Sequence, residues 1–329
     1  MDMYKIYELL PQMKTYSELG HEWKPFIMNT QESKFRSNVV NTDNFGLRFN
    51  DQKISNSIFD KKNILKKKTA AIIGASTVFG VGCTQDKSTI PSFLTNSTDT
   101  HFYNIGARAY SGFQEITFFN SLINDLKTID QIIIFSGVND IFMNNYINNY
   151  DKILGPMFFE SEFKQKMLKN STNWKERLIQ NFYQLFLKSK PANEKNKPSK
   201  NEDILKIIKR NLICWSNVKH GMKIKLTYFL QPMANWCKKE LSDQEKIIFN
   251  ELNKGSVKTN ECLKYLNLDL YYEYKKFLSD LCKELGIDFF DCNDYFSNKE
   301  FDKKWLFVDR IHLTDLGNKL ISEYIKSKI

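Results

Sequence analysis

The stretch Thr69-Ala70-Ala71-Ile72-Ile73-Gly74-Ala75-Ser76-Thr77-Val78-Phe79-Gly80 decides the fold. Its first half is a short apolar run ending in glycine, which suits a strand buried on both faces. Its second half turns polar at Ser76 and closes on another glycine, where backbone must turn sharply or approach something closely. The pattern repeats outward from there. His101-Phe102-Tyr103-Asn104-Ile105-Gly106 is a second such run. Phe113, Ile116, Phe119, Ile123 and Leu126 follow at helical spacing, and Gln131 to Gly137 form a third run. Strand, helix, strand at this rhythm implies right-handed crossovers and a parallel sheet. Lys223 to Leu230 and Ile287 to Asp291 extend the expected sheet to five strands. The helix before the last strand carries Tyr274, Phe277, Leu278, Leu281 and Leu285 and stops at Gly286, a helix-ending glycine. A closing helix shows Leu316, Leu320, Ile321, Tyr324 and Ile325 on one face. Gly74, Gly80, Gly82, Gly106, Gly112 and Gly137 are six of thirteen glycines, gathered where the chemistry is expected.

Composition narrows the function classes. A chain of 329 residues makes two small domains or one large one. Hydrophobic residues at 42% and charged residues at 26% exclude global disorder. With 13 Gly, 7 Pro and 6 Cys, collagen-like and disulfide-scaffold classes fall too. No apolar run reaches the roughly 18 residues of a membrane helix, so no integral membrane segment is expected. Met1 to Gln12 does not read as a signal-peptide core. Cysteines at 83, 214, 237, 262, 282 and 292 contain no CxxC pair, which argues against a zinc site or a disulfide framework. Free thiols in a reducing cytoplasm are the simplest account. The net charge of +10 would suit a polyanion partner. The lysines are scattered, however, and Lys61-Lys62 and Lys66-Lys67-Lys68 fall in a linker. No zinc-finger, RNP or arginine-rich pattern is present, so no nucleic-acid partner is expected.

Two segments break the alternation. Residues 1–65 precede the first strand and read as a short helix, then extended chain, packing on the domain that follows. Residues 141–222 read as a helical insertion. It carries one stripe at Trp174, Leu178, Phe182, Leu185 and Phe186 and a second at Ile204, Leu205, Ile208, Leu212 and Trp215. Lys190 to Lys200 between them reads as a loop with little to bury. The oligomeric state is not readable, though the apolar insertion helices offer a dimer contact.

Ligands of open parallel sheets bind at the carboxyl ends of the strands. There stand Gly74-Ala75-Ser76-Thr77, Asn104-Ile105-Gly106 and Gly137-Val138-Asn139-Asp140, and near the C-terminus Val308-Asp309-Arg310-Ile311-His312. These four blocks, in this order from 69 to about 325, resemble the SGNH (GDSL-type) hydrolase superfamily. The resemblance implies an α/β fold of three layers with a flavodoxin-like parallel sheet. It implies Ser76 as nucleophile and Asp309 and His312 as the Asp-x-x-His base pair. Ser76, Gly106 and Asn139 are the implied oxyanion-hole donors. Such a triad needs no metal and no organic cofactor.

Physical chemistry supports these roles. A serine hydroxyl is a poor nucleophile until a base takes its proton, and histidine titrates near neutral pH. A carboxylate on the other imidazole nitrogen fixes the tautomer, and preorganised donors stabilise the developing oxyanion. Ala75 stands where the common motif has an aspartate, which is not the triad acid. Because Ser76 and His312 must meet, residues 66–329 are expected to be one catalytic domain.

Other candidates are weaker. Arg108, Arg310 and Gln231 flank the blocks or the fourth strand end and are expected to contact substrate, the arginines by bidentate capture of an anion. Asp140 is expected to cap the helix it opens. His21, His101 and His220 lack metal-ligand spacing and read as structural. The stretch from Phe35 to Arg48 resembles the segment before the serine block in SGNH proteins of bacterial surface-polysaccharide gene sets, which implies acylated sugars as substrates. The expected function is therefore a carboxylic ester hydrolase, an esterase or deacetylase releasing a small acyl group from a sugar-linked substrate. Acyl transfer to a sugar hydroxyl by the same triad is the first alternative. A non-catalytic glycan- or polyanion-binding protein is the second.

Overall fold

In a computed structural model of the chain, residues 3–50, 68–126, 128–147, 150–171, 201–237 and 239–329 are described. Five parallel strands form the central sheet: β3 (Lys68–Gly74), β4 (Thr100–Gly106), β5 (Gln131–Ser136), β6 (Lys225–Leu230) and β7 (Asp288–Asp291). Their order is β4-β3-β5-β6-β7. The chain thus winds one way from β3 to β4 and the other way through β5, β6 and β7, a doubly wound, flavodoxin-like sheet. The strand order reverses between β3 and β5, and a crevice opens at such a switch point. Ser76 follows β3 and Asn139 follows β5, so the topology puts both beside that crevice.

Successive strand residues face opposite sides, and both sides are apolar. Ala71, Ile73, Ile132 and Ile134 pack with Phe119, Leu212, Trp215, Tyr274 and Leu278. These come from helices Gly112–Leu122, Asn201–Met222 and Leu268–Glu284. Ala70, Ile72, Ile133 and Phe135 pack with Leu94, Ile248, Phe296, Ile321 and Ile325. Helices Ile90–Ser97, Asp243–Asn253, Cys292–Phe296 and Asp315–Lys326 supply these. The three-layer α/β class follows from a sheet with two hydrophobic faces.

The structure alters the expected outline in three places. The stripe at Ile204, Ile208, Leu212 and Trp215 belongs to the crossover helix between β5 and β6, with Trp215 tilted on Phe119 at 5.2 Å. Its apolar face is buried in the chain's own core. Helices Asp243–Asn253 and Val257–Tyr265 were not anticipated, although Ser242 and Glu245 form a capping box at the first. Before the sheet stand two helices, Met3–Leu9 and Gln12–Glu18, and an antiparallel hairpin of β1 (His21–Lys24) and β2 (Met28–Gln31), in place of one helix and extended chain. The stripe at 174–186, the loop at 190–200 and the lysines at 61, 62, 66 and 67 lie outside the described residues. Among the described residues, no helix is long and apolar enough to cross a membrane.

Arg48 ties the N-terminal segment to the sheet. Its Nε donates to Asp86 Oδ1 at 2.8 Å, and neither side chain has solvent exposure (0% each). Its other nitrogens donate to the Tyr16 hydroxyl at 2.9 Å and to the carbonyls of Gly80 and Val39, each at 2.7 Å. Asn41 Nδ2 donates to the second Asp86 oxygen at 2.7 Å.

Candidate active site

Ser76 opens the short helix Ser76–Phe79 immediately after β3 and is half-buried. The His312 ring meets its hydroxyl, with Nε2 2.7 Å from Oγ. The other ring nitrogen, Nδ1, lies 2.6 Å from Asp309 Oδ2. Asp309 Oδ1 accepts the backbone N–H groups of Ile311 and His312, both at 2.7 Å. The three-residue spacing therefore closes a turn that aims the carboxylate at the imidazole. Burial would raise the Asp309 carboxyl, but the facing His312 ring and the backbone donors outweigh it and hold the group below its ordinary value. The charged acid is thus the stable form at neutral pH.

Asn139 sits in the first turn of helix Val138–Tyr146. Its Nδ2 donates to the Tyr110 carbonyl at 2.8 Å, which uses one of the two amide hydrogens. Gly137, at φ 114°, makes the turn into this helix; a Cβ there would meet Leu230 Cδ1 at 2.7 Å. Asp140 does not cap its own helix. Both of its carboxylate oxygens accept the Gly112 N–H at 3.1 Å, clipping the loop after β4 to this helix. Burial raises the Asp140 carboxyl to about 6.

A cavity of about 350 Å³ adjoins Ser76, His312 and Asn139. Its walls are mostly apolar: Val81, Ala109, Phe142, Met143, Phe158 and Ile311, with Met13, Tyr16 and Ser17 from the N-terminal helix. No sequence signal singled out that helix, because nothing local marks which surface residues a distant pocket will recruit.

The remaining expected site residues are placed elsewhere. Gly106 does not line this cavity, and its N–H donates to Asn104 Oδ1 at 3.1 Å. A Cβ on Gly106 would meet Phe79 N at 2.1 Å, so glycine there lets the strand end pass beneath the serine helix. Ala109, in the left-handed region at φ 62°, is the residue of that loop beside Ser76 and Asn139. Arg108 borders the cavity, but its guanidinium donates to Tyr16 O at 2.8 Å, Leu19 O at 2.5 Å, Gly20 O at 2.9 Å and Gln31 Oε1. It holds the N-terminal segment rather than an anion. Burial lowers it to about 10. Arg310 lies over the Phe249 ring at 4.1 Å and donates to Asn235 Oδ1 at 2.9 Å, away from the cavity. Gln231 is 1% exposed, and its Oε1 accepts from Thr77 Oγ1 at 3.0 Å, so it braces the serine helix. Ala75 joins the apolar core.

The His21 ring lies tilted against Phe159 at 4.6 Å, and burial, with Arg108 nearby, lowers it to about 4. His220 Nδ1 lies 2.7 Å from Ser216 O, a contact within its own helix. His101 is buried against Tyr103 at 4.9 Å.

No protein-family model matches the chain, and no curated protein sequence matches it. Solved structures similar to it include an acetyl xylan esterase at 13% identity and a TM-score of 0.42, covering 79% of this chain and 99% of that one. The lipase/acylhydrolase from Enterococcus faecalis is similar at 11% identity and a TM-score of 0.42, covering 79% and 96%. A member of the lipolytic protein G-D-S-L family from Veillonella parvula is similar at 11% and 0.39, covering 79% and 97%.

Proposed function

We propose that this chain is a serine ester hydrolase of the SGNH (GDSL) type that removes a small acyl group from a sugar-linked substrate. The observation that carries the reading is the continuous chain of contacts from Asp309 through His312 to Ser76, at 2.6 and 2.7 Å. His312 Nε2 takes the Ser76 proton as Oγ attacks the ester carbonyl, and then protonates the departing alcohol. Water activated by the same nitrogen releases the acid from the acyl-enzyme. The oxyanion would be met by the Ser76 backbone N–H and the second Asn139 amide hydrogen, with the Ala109 backbone beside them. An apolar cavity of about 350 Å³ favours a short acyl chain. Anion capture loses its support, because Arg108 and Arg310 are bonded to the protein itself.

Ser76→Ala tests the reading with p-nitrophenyl acetate and acetylated sugars. The expected result is loss of turnover by about 10³-fold or more, as for other removed triad members. Unchanged turnover would overturn it.

A further inference from the structure

A second cavity, of about 650 Å³, shares Phe158 with the cavity beside Ser76. A stack of rings links the two. Phe142, on the wall of the Ser76 cavity, lies parallel to Tyr146 with centroids 5.5 Å apart, and Tyr146 lies parallel to Phe158 at 5.6 Å. Tyr146 and Phe158 both line the second cavity, and Phe158 is 38% exposed, which leaves it surface for a ligand.

The two cavities differ in chemistry. The one beside Ser76 is lined mainly by aliphatic and aromatic side chains. The second brings Asp151, Glu162 and Lys258 around its aromatic wall, with Lys258 Nζ 4.6 Å from the Tyr146 centroid. A third carboxylate on this wall, Glu160, is paired with Lys164. A polyanion would meet three carboxylates against two lysines here. A lipid tail would strip water from those charged groups, which is costly. A sugar ring offers apolar C–H faces to an aromatic side chain, and hydroxyls that both donate and accept at the charged rim.

We propose that the cavity bounded by Tyr146, Phe158 and Lys258 binds an uncharged glycosyl unit, the alcohol half of the ester whose acyl half enters beside Ser76. This rests on the ester-hydrolase reading for its acyl half, while glycoside binding stands by itself. The ester carbonyl then sits at Ser76 Oγ, and the alcohol half extends past Phe158, which both cavities share.

Two measurements test it. The first compares kcat/KM on a mono-O-acetylated methyl glycoside, which keeps its other hydroxyls, with that on vinyl acetate, whose alcohol half is too small to reach the second cavity. In Tyr146→Ala and in the exposed-site variant Lys258→Ala the glycoside-to-vinyl-acetate ratio is expected to fall about tenfold, through KM for the glycoside. The same ratio in both folded variants as in the native chain overturns the subsite. The second titrates the unacylated methyl glycoside into the native protein and Lys258→Ala by NMR, with weaker binding expected in the variant. If the native chain hydrolyses neither ester, the ester-hydrolase reading falls, and the titration alone decides the subsite. Absent or unaltered binding then overturns it.

Discussion

Glu115 is a buried acid that no step of the proposed ester hydrolysis uses. It accepts the Ser136 hydroxyl at 2.7 Å, and burial lifts it from 4.5 to about 8; the hydroxyl pulls it down and the Asp140 charge pushes it up. It is therefore neutral at pH 7 in the folded chain and ionised in the unfolded chain. Folding takes up a proton between these two values. The stability this contributes is complete below about pH 4.5 and is lost as pH rises through about 8. Glu115→Gln keeps the neutral shape and removes the titration. Its melting temperature relative to the native chain is expected to rise from pH 5 to about pH 8 and then level off; a constant difference from pH 5 to pH 8 would contradict the buried-acid account. The sequence does not reveal this, because a glutamate in a helix reads as solvated until the fold covers it. The same limit explains Arg108 and Gln231. Their positions next to strand ends were legible, but whether a donor meets substrate or a neighbouring carbonyl depends on segments far away in sequence. Ser76, Asp309 and His312 were reached through the family resemblance of the motif blocks, each of which is a local stretch of sequence.

The N-terminal helix Gln12–Glu18 is the element whose role was least legible. It supplies Met13, Tyr16 and Ser17 to the wall of the Ser76 cavity. It stays there because Arg108 bonds Tyr16 O, Leu19 O and Gly20 O at its C-terminal end, and because the Tyr16 hydroxyl donates to Gly80 O at 2.7 Å. Periodicity reveals a helix but not what it is packed against. By contrast the five strands of the central sheet were legible nearly to their ends, though the β1–β2 hairpin was not. A strand buried on both faces needs an unbroken apolar run, as at Ala70 to Ile73 and Ile132 to Phe135, and such runs have few other uses. If the helix limits the acyl group, then Met13→Ala, which shortens one wall side chain, shifts the preference toward longer chains. The ratio of activity on p-nitrophenyl butyrate to that on p-nitrophenyl acetate is expected to rise several-fold. An unchanged ratio would remove the helix from the acyl site.

At the scale of the whole molecule, one of the ties between residues 3–50 and the rest of the fold is a buried ion pair. Arg48 and Asp86 have 0% exposed side chains, and Arg48 also bonds Gly80 O, at the end of the serine helix. A buried pair adds little net stability over an apolar replacement of both partners, yet removing one partner leaves the other charge uncompensated, at about 3–5 kcal/mol. That asymmetry predicts that the N-terminal segment and the Ser76 turn unfold as one cooperative unit, although the first strand of the sheet begins only at Lys68. Arg48→Met tests this. The native chain is expected to unfold with residues 36–50 and β3 exchanging amide hydrogens in the same event. In the variant the melting temperature drops by several degrees, and residues 36–50 open first, taking ester hydrolysis with them before β3 exchanges. Independent opening of 36–50 in the native chain, with activity retained, would mean that the N-terminal segment merely rests on a self-sufficient catalytic unit. The extra wall it gives the Ser76 cavity would then be dispensable for the reaction, and the Arg48–Asp86 pair would be a local anchor only.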